Sequence, residues 1–311
     1  MTQHFGDRVA ARVAERHSQL VLGLDPDPLR LWPDAAAVAA GAVGTPRDRA
    51  AAGVVAHCRA LVDAAGSACL AVKPQVACFE RLGAPGWTAL ATVSEHARAA
   101  GQLVIADAKR GDIDVSAAAY GQAFFDGLDT PYGRVRGLGA DALTVNPLLG
   151  SDGLRPLLDA ARAAGGGGGG GIFALVRTSN PGAAEVQGLE LAGGGDVSER
   201  LAALVAKLGG EAPVGAPPGL ADVGAVVGAT APRRLARLRE LMPRSIFLLP
   251  GVGAQGGRVE DLAPAFAPGP AGGLVAVSRA IAGAHEQSGG SPADAARRQA
   301  ERLREETWAL A

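Results

Sequence analysis

Three charged residues in one short stretch have the types and spacing needed for proton chemistry. Asp107, Lys109 and Asp112 occur in the segment DAKRGDI, directly after an apolar run at residues 103–105. Alternate side chains of a strand point to the same face, so Asp107 and Lys109 are expected to point the same way. Asp112 lies beyond the strand end and could turn toward the same site or toward a neighbouring subunit. Buried charges of this kind are tolerated only when they are paired and hydrogen-bonded.

Lysine is used sparingly in this chain, and two of its lysines stand at the ends of apolar strands. Of the 30 lysine and arginine residues, only Lys73, Lys109 and Lys207 are lysines. Lys207 lies in a helical pattern and is expected at the surface. The pKa of a lysine can be tuned, whereas an arginine stays protonated, so lysine at the strand ends suggests that a proton moves there. A structural ion pair without a catalytic role is the alternative.

Composition excludes several classes of protein. The net charge of −1 over 311 residues gives no support for a nucleic-acid partner. No run approaches the roughly 18 apolar residues of a membrane span, and the N-terminus lacks the apolar run of a signal peptide. The three cysteines, Cys58, Cys69 and Cys78, form no CxxC pair. Free thiols in a reducing cytoplasm are therefore expected, rather than disulfides or a zinc site.

Eight short apolar runs alternate with helical patterns rich in Ala, Leu and Arg. The predicted strands are residues 19–24, 68–73, 102–107, 142–145, 172–176, 223–228, 246–249 and 273–277. Helices are predicted at 47–65, 89–100, 152–164, 197–208, 232–241 and 293–310. This pattern predicts an α/β protein, a (β/α)8 TIM barrel formed as a single domain by residues 1–311. A doubly wound sheet is the alternative, but Gly23-Leu24-Asp25-Pro26 is no dinucleotide fingerprint.

Three segments stand outside the strand–helix pattern. Residues 27–45, rich in Pro and Ala, are expected to form an extended loop. Flexible insertions are expected near 165–171, a run of seven glycines, and near 183–195. Residues 183–195 and 256–261 are candidate lids, although a tolerated surface insertion is the simpler interpretation of 183–195.

Polar residues follow all eight predicted strands, and the last two strands suggest a phosphate site. In a barrel of this kind the active site lies at the carboxyl ends of the strands. Glycines at 251, 253, 256 and 257 would let backbone N–H groups approach an anion, and Arg279 adds a bidentate charge after the eighth strand. Any single polar residue here could be a helix cap or a turn residue, but eight together favour a site.

Five short motifs carry a resemblance to a known family. They are Gly23-Leu24-Asp25, Val72-Lys73-Pro74, Asp107-x-Lys109-x-x-Asp112-Ile113, Ser179-Asn180-Pro181-Gly182 and Pro250-Gly251-Val252-Gly253-Ala254-Gln255-Gly256-Gly257. Together they resemble orotidine 5'-phosphate decarboxylase, and the form DAKRGDI with TVNP resembles its longer, type 2 branch. The resemblance extends from about residue 19 to residue 280, nearly the whole chain.

The resemblance implies the decarboxylation of orotidine 5'-monophosphate to uridine 5'-monophosphate in de novo pyrimidine synthesis, without a metal or an organic cofactor. It implies a charge array in which Lys73 pairs with Asp107, and Lys109 lies between Asp107 and Asp112. The second aspartate would come from the partner subunit, so a homodimer with shared active sites is expected. Within this array, an ammonium beside C6 can stabilise a carbanion and then protonate it, which makes Lys109 the expected proton donor.

The resemblance also implies a set of substrate-binding residues. They are Asp25, Lys73, Ile113, Ser116, Ser179, Gln255 and Arg279. Asp25 and Lys73 would hold the ribose hydroxyls, and Ser179 would read the pyrimidine edge. Gln255 and Arg279 would hold the phosphate. The family more often has threonine where this chain has Ser116, and the hydroxyl contact is expected to survive.

Three other functions compete with this prediction. A magnesium-dependent phosphosugar barrel, such as a keto-gulonate phosphate decarboxylase or a hexulose phosphate synthase, shares the Asp-x-Lys-x-x-Asp motif, but the segments around Ser179 and Gln255 argue against it. An aldolase-type barrel would form a Schiff base through Lys73 or Lys109, but flanking acids favour the charged ammonium over the neutral nucleophile. A ligand-binding barrel without enzymatic activity is the third alternative, and the complete charge array argues against it.

Overall fold

The computed structural model describes residues 4–164, 169–211, 219–253 and 256–311. The strands are β1 (Leu20–Leu24), β2 (Ala71–Pro74), β3 (Leu103–Arg110), β4 (Leu128–Thr130), β5 (Gly133–Val135), β6 (Ala142–Val145), β7 (Gly171–Arg177), β8 (Val223–Val227), β9 (Phe247–Pro250) and β10 (Gly273–Val277). Eight of them close into a barrel in the order β1-β10-β9-β8-β7-β6-β3-β2, and all neighbours pair in parallel. The predicted (β/α)8 barrel is confirmed.

Helices surround the barrel. They are α1 (Phe5–Arg16), α2 (Pro33–Gly41), α3 (Pro46–Ala65), α4 (Val76–Glu80), α5 (Ala84–Ala99), α6 (Asp114–Phe124), α7 (Ser151–Ala163), α8 (Ala183–Val186), α9 (Val197–Gly210), α10 (Pro232–Leu241), α11 (Arg279–Ala282), α12 (Ala284–Ser288) and α13 (Pro292–Trp308). Short 3₁₀ segments lie at Gly66–Ala68, Pro147–Leu149, Val259–Phe266 and Pro270–Gly272. Within the described ranges, no helix combines the length and the apolar character needed to cross a bilayer.

The barrel strands are buried on both faces, which explains their near-continuous apolar sequences. In β1, Leu22 and Leu24 pack outward beneath the helices, whereas Val21 packs inside the barrel. The interior cluster also contains Phe5 from α1, whose ring meets Phe173 of β7 edge-on at 6.2 Å between centroids. Helix α1 therefore closes one end of the barrel, and the carboxyl ends of the strands remain available for a site.

Each barrel strand coincides with a predicted apolar run, and no end differs by more than three residues. One predicted loop is wrong, because residues 27–45 contain helix α2. Its sequence explains this helix, since Pro33 suits the first helical turn and alanine is the strongest helix former. The loop expected at 183–195 begins with the short helix α8. Of the seven glycines at 165–171, residues 165–168 lie outside the described part of the chain.

Candidate active site

Asp107 is the centre of a charge cluster near the end of β3, in which Asp107 and Lys73 are buried and the Lys109 side chain is 44% exposed. Lys73 Nζ donates a hydrogen bond to Asp107 Oδ2 at 2.6 Å, and Lys109 Nζ donates to Oδ1 at 2.5 Å. Two neutral side chains complete the shell: Gln75 Nε2 donates to Oδ2 at 3.1 Å, and Thr144 Oγ1 donates to Oδ1 at 2.9 Å. Both carboxylate oxygens therefore accept two hydrogen bonds each, which favours the ionised form of Asp107.

Burial and charge act in opposite directions on this cluster. Burial alone would raise the pKa of Asp107, but the charges of Lys73 and Lys109 outweigh it and hold the pKa well below its usual value. Burial alone would lower the pKa of Lys73, but the carboxylates of Asp107 and Asp25 outweigh it and leave the pKa raised. Asp107 and Lys73 are therefore an ionised pair at neutral pH, which is the condition for tolerating both charges inside the barrel.

The backbone of β3 is irregular where it carries these side chains. Between Ala106 and Arg110 the pairing of β3 with β6 shifts register, and Lys109 has a left-handed φ of +51°. Such a backbone is unusual for a residue other than glycine and occurs frequently at functional sites. The backbone N–H of Lys109 donates to Thr144 Oγ1 at 3.0 Å, so a side chain of β6 stabilises this conformation.

A cavity of about 410 Å³ opens above the cluster at the carboxyl ends of the strands. Six of the predicted site residues line it: Asp25, Lys73, Asp107, Lys109, Ser179 and Arg279. A drug-sized ligand fits a cavity of this volume. A larger cavity of about 900 Å³ lies beside it, between the loop after β1 and helix α13, and shares Asp25 and Arg279 with it. We take the smaller cavity as the candidate site because it contains the charge cluster.

The opposite end of the candidate site is formed by loops. Asp25 and Arg279, which follow β1 and β10, are both exposed. Ser179 follows β7 and lies against Gly228, where an added Cβ would approach the Ser179 Cα to 2.7 Å. This close approach requires glycine after β8, since a larger residue would displace the Ser179 loop.

The loop after β9 turns back on itself through backbone hydrogen bonds. Gly253 N–H donates to Gly257 O at 3.0 Å, and Gly257 N–H donates to Gly251 O at 3.0 Å. Gly251 and Gly253 both have positive φ angles, which a side chain would disfavour. The predicted phosphate residue Gln255 lies outside the described residues.

Three predicted site residues do not line the cavity of their own chain. Asp112, Ile113 and Ser116 follow β3 and enter helix α6, and Asp112 Oδ1 accepts a hydrogen bond from the Ile113 N–H at 2.8 Å. Ile113 is 49% exposed and Val115 is 83% exposed, although both are large and apolar. Neither side chain lines the cavity that contains Lys109.

Sequence reasoning missed the contacts of Gln75 and Thr144 with Asp107. Gln75 is two residues beyond Lys73, so the alternation of side chains in an extended segment would have placed both on one face. Thr144 lies on β6, and the sequence offers no signal for its contact with β3. The charge cluster is thus held together by neutral side chains from two neighbouring strands.

A closed parallel barrel with an ionised Lys-Asp-Lys cluster at its carboxyl rim defines an enzyme of the (β/α)8 class. The family model described as "Orotidine 5'-phosphate decarboxylase / HUMPS family" matches residues 18–296. Orotidine 5'-phosphate decarboxylase of Deinococcus radiodurans is 41% identical over 310 residues, covering 98% of this chain and 97% of the relative. Orotidine 5'-phosphate decarboxylase of Rhodopirellula baltica is 41% identical over 246 residues, covering 78% of this chain and 76% of the relative.

A solved structure of an OMP decarboxylase is also similar to this chain. The structure of Leishmania donovani OMP decarboxylase superposes with a TM-score of 0.71 at 31% identity, covering 100% of this chain and 99% of that one. The chain belongs to the orotidine 5'-phosphate decarboxylase family. The resemblance predicted from the five sequence motifs is confirmed.

Proposed function

We infer that this chain decarboxylates orotidine 5'-monophosphate to uridine 5'-monophosphate, a step of de novo pyrimidine synthesis. The observation that carries this inference is the ionised Lys73–Asp107–Lys109 cluster facing a cavity of about 410 Å³ in a chain of this family. We further propose that residues 1–311 form one barrel domain and that the reaction needs no metal and no organic cofactor.

Lys109 is the proton donor in this proposal. When the bond between C6 and the carboxylate breaks, the electron pair stays on C6 and CO₂ leaves. The resulting carbanion lies in the plane of the ring and has no π system to delocalise it. A fixed ammonium beside C6 stabilises this charge, and a proton from Lys109 Nζ then forms the new C6–H bond. Lys109 Nζ is 2.5 Å from Asp107 Oδ1, which restricts its position during the reaction.

Asp107 contributes a second effect at the same carbon. It is buried between two lysines, and its low pKa keeps it ionised when a substrate carboxylate enters the cavity. The two negative groups repel each other in the substrate complex, and the repulsion ends as CO₂ leaves. Lys73 pairs with Asp107 and completes the array from the neighbouring strand.

The rest of the nucleotide extends from this cluster toward Arg279. Asp25 and Lys73 hold the ribose hydroxyls, and Ser179 reads the pyrimidine edge. Gln255 and Arg279 hold the phosphate, far from the reacting carbon. Phosphate binding energy can then be used to close loops and exclude water, for which 183–195 and 256–261 are the candidate segments.

We propose that the enzyme is a homodimer whose active sites are shared. Asp112, Ile113 and Ser116 lie outside their own cavity, and they would enter the site of the second copy. Large apolar side chains are exposed in two segments of the chain: Val115, beside Ile113 and Ser116, is 83% exposed, and Leu148, after β6, is 62% exposed. A patch of this kind marks a surface that is covered in the functional assembly.

Asp112 and this patch are adjacent in space. A Cβ added to Gly153 would lie 3.0 Å from Asp112 O and 3.1 Å from Leu149 Cβ, and Leu149 is itself 51% exposed. If a second copy of the chain covers this patch, the Asp112 of each copy therefore lies at the interface between the two copies. In a twofold dimer each chain would supply the same residues to its partner.

A cytoplasmic location is part of the proposal. Cys58, Cys69 and Cys78 are all free thiols in the fold, which suits a reducing compartment. No nucleic-acid or membrane partner is proposed, since the net charge is −1.

A direct assay tests the activity. The purified protein is mixed with orotidine 5'-monophosphate in excess EDTA, and loss of the orotate ultraviolet band is followed. We expect rapid loss of the band. No loss with EDTA, together with activity on a phosphosugar after magnesium is added, would move the function to the magnesium-dependent barrels. Inactivity in both assays would favour a ligand-binding barrel.

Mixing two inactive variants tests the shared site. Asp112→Ala and Lys109→Ala subunits should each be inactive, but a hybrid dimer has one site with an intact Lys109 and an intact Asp112. After random exchange in an equal mixture, half of the dimers are hybrids, and one of the two sites in each hybrid is intact. Up to roughly one quarter of the wild-type activity should therefore return.

The matched control mixes Lys73→Ala with Lys109→Ala subunits. Both substitutions damage the part of the site that comes from the same chain, so no hybrid site is intact and no activity should return. One variant of each mixture is labelled with ¹⁵N, so that native mass spectrometry establishes that the subunits have exchanged. Exchange without recovery in the first mixture would contradict the shared site.

A further inference from the structure

Thr144 uses one hydroxyl group to connect the two central residues of the charge cluster. Its Oγ1 donates to Asp107 Oδ1 at 2.9 Å and accepts from the Lys109 backbone N–H at 3.0 Å. Thr144 is 1% exposed and lines the substrate cavity. These two hydrogen bonds are made deep inside the site, where a lost partner is costly.

The chemistry of the partners fixes the direction of both hydrogen bonds. Asp107 is ionised, so its oxygens can only accept, and a backbone N–H can only donate. The Thr144 hydroxyl proton therefore points to Asp107, and a lone pair of Oγ1 points to Lys109. No other hydroxyl orientation satisfies both neighbours at once.

The strand register explains why this position matters. Ala106 pairs with Leu143 and Arg110 pairs with Val145, so three residues of β3 lie opposite Thr144 alone. Those three residues include Asp107 and Lys109. Thr144 is thus the residue of β6 that faces the irregular segment carrying both charges.

The Thr144 hydroxyl stabilises an unusual backbone conformation of Lys109. A φ of +51° is disfavoured for a residue other than glycine. This backbone directs the Lys109 side chain back to Asp107, two residues earlier. A relaxed Lys109 backbone would carry the ammonium away from the position in which it meets the substrate.

We propose that Thr144 is a positioning residue for the decarboxylation, which fixes the Lys109 ammonium relative to Asp107. The proposal rests on the proposed function, because the position of Lys109 matters only if Lys109 meets the substrate. Gln75 also donates to Asp107, but to Oδ2, at 3.1 Å, and its hydrogen bond does not involve the Lys109 backbone.

The test compares Thr144→Val with Thr144→Ser. Valine fills the same volume without the hydroxyl, and serine keeps the hydroxyl without the methyl group. We expect Thr144→Val to lower kcat by about 10- to 100-fold, as misplacement of a reacting group by about 1 Å does. Its Kd for uridine 5'-monophosphate, from calorimetry, should change less than about threefold, because the predicted nucleotide contacts are elsewhere. Thr144→Ser should keep kcat within about threefold of wild type.

Four outcomes decide the inference. Wild-type turnover of orotidine 5'-monophosphate is measured first, and its absence would refute the proposed function and the role of Thr144 with it. With an active wild type, an unchanged kcat in Thr144→Val would overturn the role. Equal losses in the Val and Ser variants would show that keeping the hydroxyl does not preserve kcat, which would also overturn the role. A parallel loss of kcat and nucleotide affinity would indicate general damage, with the same consequence.

Two further variants serve as a substitute for Thr144→Val and as a control. If Thr144→Val does not fold, Thr144→Ala removes the hydroxyl with less crowding, and the same split between kcat and Kd is expected. Gln75→Met removes one donor to Asp107 and leaves the Lys109 backbone untouched, so its loss of kcat should be at least about threefold smaller than that of Thr144→Val. Equal losses would show that only the number of donors to Asp107 matters.

Discussion

The two ends of the substrate cavity are built from different kinds of structure. At the reacting end, Lys73, Asp107 and Thr144 are buried, hydrogen-bonded side chains on barrel strands, and they hold the partly exposed Lys109 in place. At the other end, Arg279 is exposed, and the glycines after β9 form a loop that is closed by backbone hydrogen bonds. At the strand end the side chains are held in fixed positions, whereas at the loop end the charged side chain is carried by an exposed segment.

This difference follows from what each end must do. A reacting group loses much of its effect when it is displaced by about 1 Å, so it belongs on a rigid element with its neighbours hydrogen-bonded. A phosphate is a large, doubly charged anion that several donors can hold, and its binding must be coupled to loop closure. The comparison predicts that substitutions at the strand end affect the chemical step, whereas substitutions at the loop end affect binding.

The largest effect is expected at Lys109. Lys109→Ala removes the proposed proton donor and, with it, the charge proposed to stabilise the carbanion at C6, so turnover should fall by at least about 10⁴-fold. The affinity for uridine 5'-monophosphate should change little, because the phosphate and ribose contacts remain. Stopped-flow assays and calorimetry measure the two quantities.

Lys207→Ala is the matched control for this prediction. Lys207 is an exposed lysine on α9, outside the cavity, so its removal should leave kcat unchanged. Decarboxylation that survives in Lys109→Ala would refute the assigned proton donor.

A second contrast concerns stability, and it compares two carboxylates that act on the same lysine. Asp107→Asn leaves the buried ammonium of Lys73 without its closest counter-charge, which should lower the free energy of unfolding by about 3–5 kcal/mol at pH 7. Asp25→Asn removes an exposed carboxylate, and the loss should stay below about 1 kcal/mol. Urea unfolding of the two variants and the wild type measures both values.

The pH dependence of the Asp107 effect has a definite sign. The pKa of Asp107 is lowered in the folded protein, so the unfolded chain binds more protons at acidic pH. The stabilisation is complete above the unfolded pKa, near about 3.9, and is lost as the pH falls through the folded value. The difference between wild type and Asp107→Asn should therefore shrink below about pH 4. Equal losses for the two variants at pH 7, or a difference that grows in acid, would contradict the assigned ion pair.

The same contrast explains what the sequence could and could not predict. The barrel strands were predictable because burial on both faces leaves a near-continuous apolar run, as in VGAVV of β8. The common face of Asp107 and Lys109 followed from strand alternation. The left-handed backbone of Lys109 and its contact with Thr144 did not, since both depend on how β3 and β6 pair across about 35 residues of chain. Helix α2 was missed because a Pro- and Ala-rich segment was interpreted as a loop.

The smallest effect is expected at the loop end. Arg279→Ala should raise KM for orotidine 5'-monophosphate by an amount equivalent to about 1–3 kcal/mol, since a charged hydrogen-bond donor to the phosphate is lost. The affinity for uridine, which lacks the phosphate, should not change. This difference separates a phosphate contact from a general disturbance of the cavity.

Arg298 provides the matched control, because it is an exposed arginine that lines only the neighbouring cavity of about 900 Å³. Arg298→Ala should leave KM within about twofold of wild type, since its charge acts through solvent. If Arg279→Ala has no effect on KM, or weakens uridine and uridine 5'-monophosphate alike, Arg279 does not hold the phosphate. Phosphate binding would then be left to Gln255 in the loop after β9, and the loop end of the cavity would hold the anion without the charge of Arg279.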